Sequence, residues 1–164
     1  MKEEVKNYIK NETGVSVIIT FLMNGMISSL IHHMEKEISC DLISVAIDLL
    51  LTILSITVLV TLFSSASVRK NSAYVVFEIN GKWMKRLKAL LRKPMPFALV
   101  TGLATTIVVF LVTASAITLF SILSISFWLY ILIKCVFTSS IAGYFTVLVL
   151  RLGFSSNALN TKIL

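Results

Sequence analysis

Four long apolar runs constrain the fold of this chain more than any other feature. A helix needs about 20 mostly apolar residues to cross the hydrocarbon core of a bilayer. The runs are continuous rather than alternating, which excludes the strand pattern of a membrane β-barrel. A helix also satisfies its own backbone hydrogen bonds in lipid. We therefore expect an all-α, polytopic membrane protein whose four transmembrane helices form a bundle, one membrane domain over residues 1–164 with spans at about 14–33, 42–65, 96–120 and 126–150.

The composition agrees with this class and excludes several others. Only 14% of the residues are charged and 57% are hydrophobic, whereas a soluble domain carries about a quarter charged residues. Cys40 and Cys135 lack the spacing of a metal or disulfide motif, and no nucleophile–base motif occurs. We expect no enzymatic activity, no metal and no cofactor.

The distribution of basic residues predicts the orientation. Cytoplasmic loops of membrane proteins carry an excess of Lys and Arg. The loop over residues 66–95 holds eight of them against one acid, Glu78, and the other two loops hold almost none. This loop is therefore expected in the cytoplasm. An even number of spans places both termini there too, in a protein of the cell (cytoplasmic) membrane.

Part of that loop has the pattern of a short amphipathic basic helix. Residues 82–93 place Trp83, Met84, Leu87, Leu90 and Leu91 on one stripe and basic residues opposite. Such a helix suits the membrane–water interface, where anionic lipid attracts each basic residue by roughly 1 kcal/mol. It is either a lipid or partner contact or simply a topology anchor, and no nucleic-acid motif accompanies the charge. The expected interface residues are Lys82, Trp83, Lys85, Arg86, Lys88, Arg92 and Lys93.

Two charged residues lie inside the spans, where a charge costs at least about 2.5–3.5 kcal/mol. Asp48 comes six residues after Leu42, and Lys134 comes eight after Ser126. Both spans enter from the outer face, so at 1.5 Å per residue both charges lie roughly 9–12 Å below it. The simplest hypothesis is an Asp48–Lys134 ion pair. Asn24 of the first span lies at a similar level and completes the candidate intramembrane polar site.

This polar layer allows two interpretations. In one it binds a substrate or carries protons, with Asp48 titrating, Lys134 as counter-charge, and His32 and His33 at its mouth. In the other the ion pair only fixes the helix register. The histidines do not suggest a metal site, because adjacent residues point about 100° apart on a helix.

Small residues spaced four apart suggest close helix contacts. Ala98 and Gly102 in the third span lie at a similar depth to Ser139 and Gly143 in the fourth. We expect these two spans to pack tightly on the cytoplasmic side, with Gly25 marking a third such face; an oligomer face is the alternative. The two halves of the chain resemble a parallel duplication of helix pairs, although no residue match supports it.

Several features together suggest a family resemblance. The chain resembles small four-helix membrane proteins of Gram-positive bacteria at four places. These are Asn24 in the first span, the Ile47-Asp48 step in the second, the Ser67–Lys70 segment at the end of the second, and the Phe127-Trp128 start of the fourth. That group implies no established activity. We expect a transport-related, permease- or channel-like module using the outer polar layer. The alternative is an accessory, regulatory or immunity-type subunit with a purely structural polar layer. The expected partners are the lipid bilayer and either a homo-oligomer or a larger membrane complex, but no nucleic acid.

Overall fold

The computed structural model describes residues 2–32, 36–71, 77–78 and 81–156. Within this part of the chain the protein is all-helical apart from four very short strands. The helices are α1 (Lys2–Ile31), α2 (Leu42–Lys70), α3 (Lys82–Leu91), α4 (Pro94–Phe120) and α5 (Phe127–Gly153). The strands are β1 (Glu37–Ser39), β2 (Phe77–Glu78), β3 (Ser124–Ser126) and β4 (Ser155–Ser156).

Four of the helices, α1, α2, α4 and α5, are long and apolar enough to cross a membrane, judged by length and composition. They agree with the expected spans to within a few residues at most ends, but α1 begins at Lys2 rather than near residue 14 and ends at Ile31. The added turns are held by packing, because Val5 and Ile9 are buried against Leu150 and Phe154 of the α5 end. The Tyr8 hydroxyl also hydrogen-bonds the Ser67 hydroxyl of α2 at 2.8 Å.

The main helix contacts run in the order α1–α5–α2–α4. A closed ring of four helices would also need extensive packing between α1 and α4, which is not among the main contacts of the described residues. The expected bundle is therefore an open row in which α5 and α2 form the centre. Their shared core contains Ile53, Ile56, Val60, Ile141, Ala142 and Phe145.

The arrangement has an internal equivalence. Exchanging α1 with α4, β1 with β3, and α2 with α5 leaves the order of helix contacts unchanged. The antiparallel β1–β3 pair, with Ile38 opposite Ile125, also maps onto itself. Two helix–strand–helix halves therefore relate as a parallel pair, the relation suggested by the order of the spans.

The glycines mark close helix approaches, but not the expected one between the third and fourth spans. A Cβ added to Gly102 would lie 3.0 Å from Thr57 Oγ1 of α2, and one added to Gly143 would lie 2.9 Å from Val17 Cγ2 of α1. Each glycine therefore faces the other half of the chain. The cause is the crossed contact order, in which α4 packs on α2 and α5 packs on α1.

The other small residues follow the same crossing. A Cβ on Gly25 would lie 3.3 Å from Cys135 Sγ, which brings α1 close to α5. Ala98 and Ser139 are both buried, and the Ser139 hydroxyl donates to the Cys135 carbonyl of its own helix at 2.7 Å. Helices α4 and α5 meet where Phe97 packs with Val149 and Leu152.

Helix α3 is amphipathic as expected, but its apolar stripe is used inside the protein. Met84, Leu87, Leu90 and Leu91 pack against the Phe97 cluster, while Trp83 remains 69% exposed. Four of the five stripe residues are therefore partly covered by the protein. Lys88 is also drawn inward, and the other expected interface residues are exposed: Lys82, Lys85, Arg86, Arg92 and Lys93.

The Lys88 side chain contacts the end of α5. Its Nζ donates to the Ser155 carbonyl. Burial, followed by repulsion from Arg92, lowers the pKa of Lys88. Ser155 belongs to β4, which pairs in parallel with β2 at Phe77 and Glu78. Residues 72–76 and 79–80 of the segment between α2 and α3 lie outside the described residues.

Candidate functional site

The two ends of the helix row differ in what covers them. We call the end with β1 and β3 the sheet end, and the opposite one, with α3, the α3 end. At the sheet end, Asp41 caps α2, because its Oδ2 accepts a hydrogen bond from the Ser44 N–H at 3.0 Å. Helix α5 begins directly after β3. Because α2 and α5 both begin at the sheet end, Asp48 and Lys134 lie at matching depths in the two central helices.

Asp48 and Lys134 form an ion pair completed by a tyrosine. Lys134 Nζ lies 2.5 Å from Asp48 Oδ1. The Tyr130 hydroxyl donates to Asp48 Oδ2 at 2.9 Å and accepts from Lys134 Nζ at 3.1 Å. The carboxylate thus receives one hydrogen bond on each oxygen, from two different side chains. Together these bonds hold the charged group in a fixed orientation.

Tyr130 was missed by the sequence reasoning, although a signal for it was present. Residues four apart on a helix lie on one face, so Tyr130 shares the face of Lys134. A tyrosine hydroxyl beside a buried ammonium supplies the second partner that a desolvated charge requires. A hydroxyl four residues from a charge inside an apolar helix is the signal that points to it.

The polar triad (Asp48, Tyr130 and Lys134) lies on the wall of a cavity of about 610 Å³. The cavity lies between α2, α4 and α5 beneath the β1–β3 sheet, and its walls are predominantly aliphatic. Asp48 and Lys134 differ in exposure, since the aspartate side chain is 36% exposed and the lysine side chain only 13%. Both side chains line the cavity, and the carboxylate is the more exposed of the two charges.

The short sheet covers the cavity and connects the two halves. Ile38 and Ile125, paired across the strands, both line it. Outside the ladder, the Cys40 N–H donates to the Leu123 carbonyl at 2.9 Å, and the Ser124 hydroxyl donates to Glu37 Oε2 at 2.7 Å. Burial raises the pKa of the Cys40 thiol, which also lines the cavity.

His32 lies at this end, as the sequence placed it. It lines the cavity, and its ring packs edge-on against Tyr130 with centroids 5.4 Å apart. His33, the other expected mouth residue, lies outside the described residues. Thr113 of α4 also contributes to the cavity wall.

Asn24 is not part of this site. Its Nδ2 donates to the Thr20 carbonyl of its own helix at 3.0 Å, and it does not line the cavity. The physical reason is the helix order: α5 separates α1 from α2, so an α1 residue at the same depth meets the other side of α5. The neighbouring Gly25 accordingly lies against Cys135.

The donor set suits an ion pair rather than a metal. The described residues contain no group of three His, Cys, Asp or Glu side chains close enough to hold a metal ion. A partly exposed carboxylate in an apolar cavity can instead accept hydrogen bonds from a ligand or attract a positive charge.

Comparisons with known proteins give no relative from which a role could be transferred. No protein-family model, no curated protein and no solved structure matches the chain. The described part of the molecule is defined by four helices compatible with a membrane protein and by a charged triad on a cavity wall.

Proposed function

We propose that this protein is a small transport-related module of the cell membrane, permease- or channel-like, that takes its substrate into the cavity at the sheet end. In this proposal α1, α2, α4 and α5 cross the bilayer. The basic α3 end and both termini face the cytoplasm, in accordance with the excess of Lys and Arg there. The sheet end then faces outward, and Asp48 lies in the outer half of the membrane.

One observation carries the proposal: the cavity reaches a charged pair whose carboxylate is 36% exposed. An ion pair that serves only to fix register needs no open space beside it, and when buried it must offset the desolvation of both charges. Here both partners line a cavity of about 610 Å³, within the 300–1,000 Å³ range typical of ligand sites. Intramembrane charges that face cavities commonly mark substrate or ion pathways.

The two equivalent halves support a mechanism in which the cavity opens alternately to the two sides of the membrane. Many transporters bind substrate between two related repeats that move as rigid units. In this chain the cavity lies where the central helices α2 and α5, one from each half, meet α4. Toward the α3 end the same helices close on Phe145 and Ala142, which are 1% and 0% exposed. Transport requires this closed half to open while the sheet end closes.

Thiol labelling from outside the cell tests the proposal. In a background lacking Cys40 and Cys135, Thr113→Cys places a thiol on the cavity wall without breaking the ion pair. We expect a small, membrane-impermeant thiol reagent to label Thr113→Cys and Asp48→Cys. Asn24→Cys is the matched control, since it lies at a similar depth but off the cavity, and should remain unlabelled.

The outcomes separate the two functional classes. If Thr113→Cys does not react while a cysteine at Glu37 in the outer sheet does, the cavity is sealed from outside. The triad would then be structural and the transport proposal rejected. The accessory or immunity-type role would become the better one. Equal labelling of Asn24→Cys and Thr113→Cys would mean that reactivity follows depth rather than the cavity.

A further inference from the structure

The exposed carboxylate gives the cavity a preference for one sign of charge. Asp48 accepts one hydrogen bond on each oxygen, whereas a carboxylate has about four acceptor positions. It therefore retains capacity toward the cavity. Lys134 is only 13% exposed and directs hydrogen bonds to Asp48 and Tyr130. Lys134 also lines the cavity, but the carboxylate is the more exposed of the two charges.

The walls indicate what kind of cation fits. Rings of His32, Tyr130 and Phe137 line the cavity together with aliphatic residues such as Leu51 and Ile117. Aromatic faces attract organic cations, and aliphatic walls favour a ligand with apolar substituents. A hydrated metal ion would need several oxygen ligands in place of its water, and such a set of oxygens is not provided by these walls.

We propose, building on the proposed function, that the ligand is a lipophilic organic monocation, an ammonium or phosphonium compound whose charged centre rests against Asp48. Lys134 tunes the strength of binding. It neutralises part of the carboxylate's field, so the bound cation can leave again. The interaction between charges a few ångströms apart in a site of intermediate dielectric is large enough for one lysine to change affinity by about tenfold or more.

The test compares two ions of one shape and opposite charge. The purified full-length chain in detergent is titrated with tetraphenylphosphonium and, separately, with tetraphenylborate, and binding to empty micelles is subtracted. We expect the cation to bind at least about tenfold more tightly than the anion. Asp48→Asn should weaken cation binding by about tenfold or more, and Lys134→Gln should strengthen it by a similar factor.

Controls keep the result interpretable if a single variant unfolds. Ser140→Ala changes an exposed residue on α5 that does not line the cavity, and should leave both affinities unchanged. The double variant Asp48→Asn with Lys134→Gln has a neutral pair of similar size and should bind the two ions about equally. Gel filtration confirms that each variant is folded.

Two results would overturn the cation proposal. One is equal affinity of the unaltered protein for the two ions, and the other is weaker cation binding by Lys134→Gln. Either would leave the cavity available for a different class of substrate if Thr113→Cys is still labelled from outside. Failure of that labelling is the separate result that rejects the proposed function itself.

Discussion

The α3 end and the sheet end use the same helices but are packed differently. At the α3 end, Phe97, Phe145 and Phe154 are at most 1% exposed, and several helices contribute to the clusters around them. At the sheet end, the same helices surround a cavity of about 610 Å³ and a charged triad. Close packing is the usual state of a protein interior, so the open end requires an explanation.

The difference follows from what the chain adds at each end. The α3 end receives α3 and the first turns of α1, which fill the spaces between the long helices. In the described part of the chain, the sheet end receives two three-residue strands. A short sheet covers a cavity without filling it. The comparison suggests that the α3 end supplies stability and the sheet end supplies the binding site.

Removing one aromatic ring from each end should give the largest contrast. Phe145→Ala removes a ring that is 1% exposed, and such changes cost about 3–5 kcal/mol because they leave a cavity behind. Phe137→Ala removes a partly buried ring that already borders the cavity, so its cost should be below about 2 kcal/mol. Thermal unfolding in detergent measures both. Equal losses would show that the two ends are packed to the same extent.

Breaking the ion pair should have the next largest effect. Asp48→Ala leaves the 13% exposed Lys134 ammonium without its carboxylate. A fully buried pair loses about 3–5 kcal/mol in this way, and we expect about 2–3 kcal/mol here because Asp48 is partly exposed. Adding Lys134→Ala should recover part of the loss in a double-mutant cycle. Simple additivity of the two single variants would argue against energetic coupling of the pair.

The sequence predicted how far along its helix each site residue lies, but not which neighbouring helix its side chain faces. Matching distances from the helix starts placed Asp48 opposite Lys134, and the structure pairs them. The same reasoning placed Asn24 with them, which is wrong because depth does not determine which neighbour a helix meets. Asn24 is on α1, and α5 lies between α1 and α2. Helix order depends on side-chain fit along the whole length of each helix, and a depth argument does not contain that information.

The same limit explains the errors about the fold. Four long helices were predictable from apolar length alone, and the described residues contain four. Gly102 and Gly143 correctly indicated close helix contacts. They were expected to face each other's helices, but each meets a helix of the other half of the chain. The amphipathic pattern of α3 was also correct. Its apolar stripe fits the Phe97 cluster as well as it would fit lipid, and periodicity does not distinguish the two environments.

Larger side chains test the same difference in packing between the two ends, by adding volume instead of removing it. Ala142 is completely buried at the centre of the α2–α5 core, and Ala116 lines the cavity. Overpacking a filled core costs about 1–3 kcal/mol, so Ala142→Leu should lower the unfolding temperature. Ala116→Leu should leave it nearly unchanged while weakening tetraphenylphosphonium binding. A strongly destabilised Ala116→Leu variant would indicate that the cavity wall does not accommodate added volume.

The smallest expected effect concerns the polar contact that holds α3 to α5. Lys88 donates to the Ser155 carbonyl, and burial, followed by the repulsion from Arg92, lowers its pKa below the ordinary lysine value of 10.5. Between the lowered pKa and 10.5 the unfolded chain therefore binds more protons than the folded one, so this residue's contribution to stability rises with pH in that window and is constant below it. Lys88→Met should remove the rise, whereas Lys85→Met, a change at an exposed position of the same helix, should retain it. The difference in unfolding temperature between the two variants, followed from neutral to alkaline pH, measures this effect. A pH-independent difference would mean that Lys88 is not desolvated against α5, and that the α3 end is more open than its apolar clusters suggest.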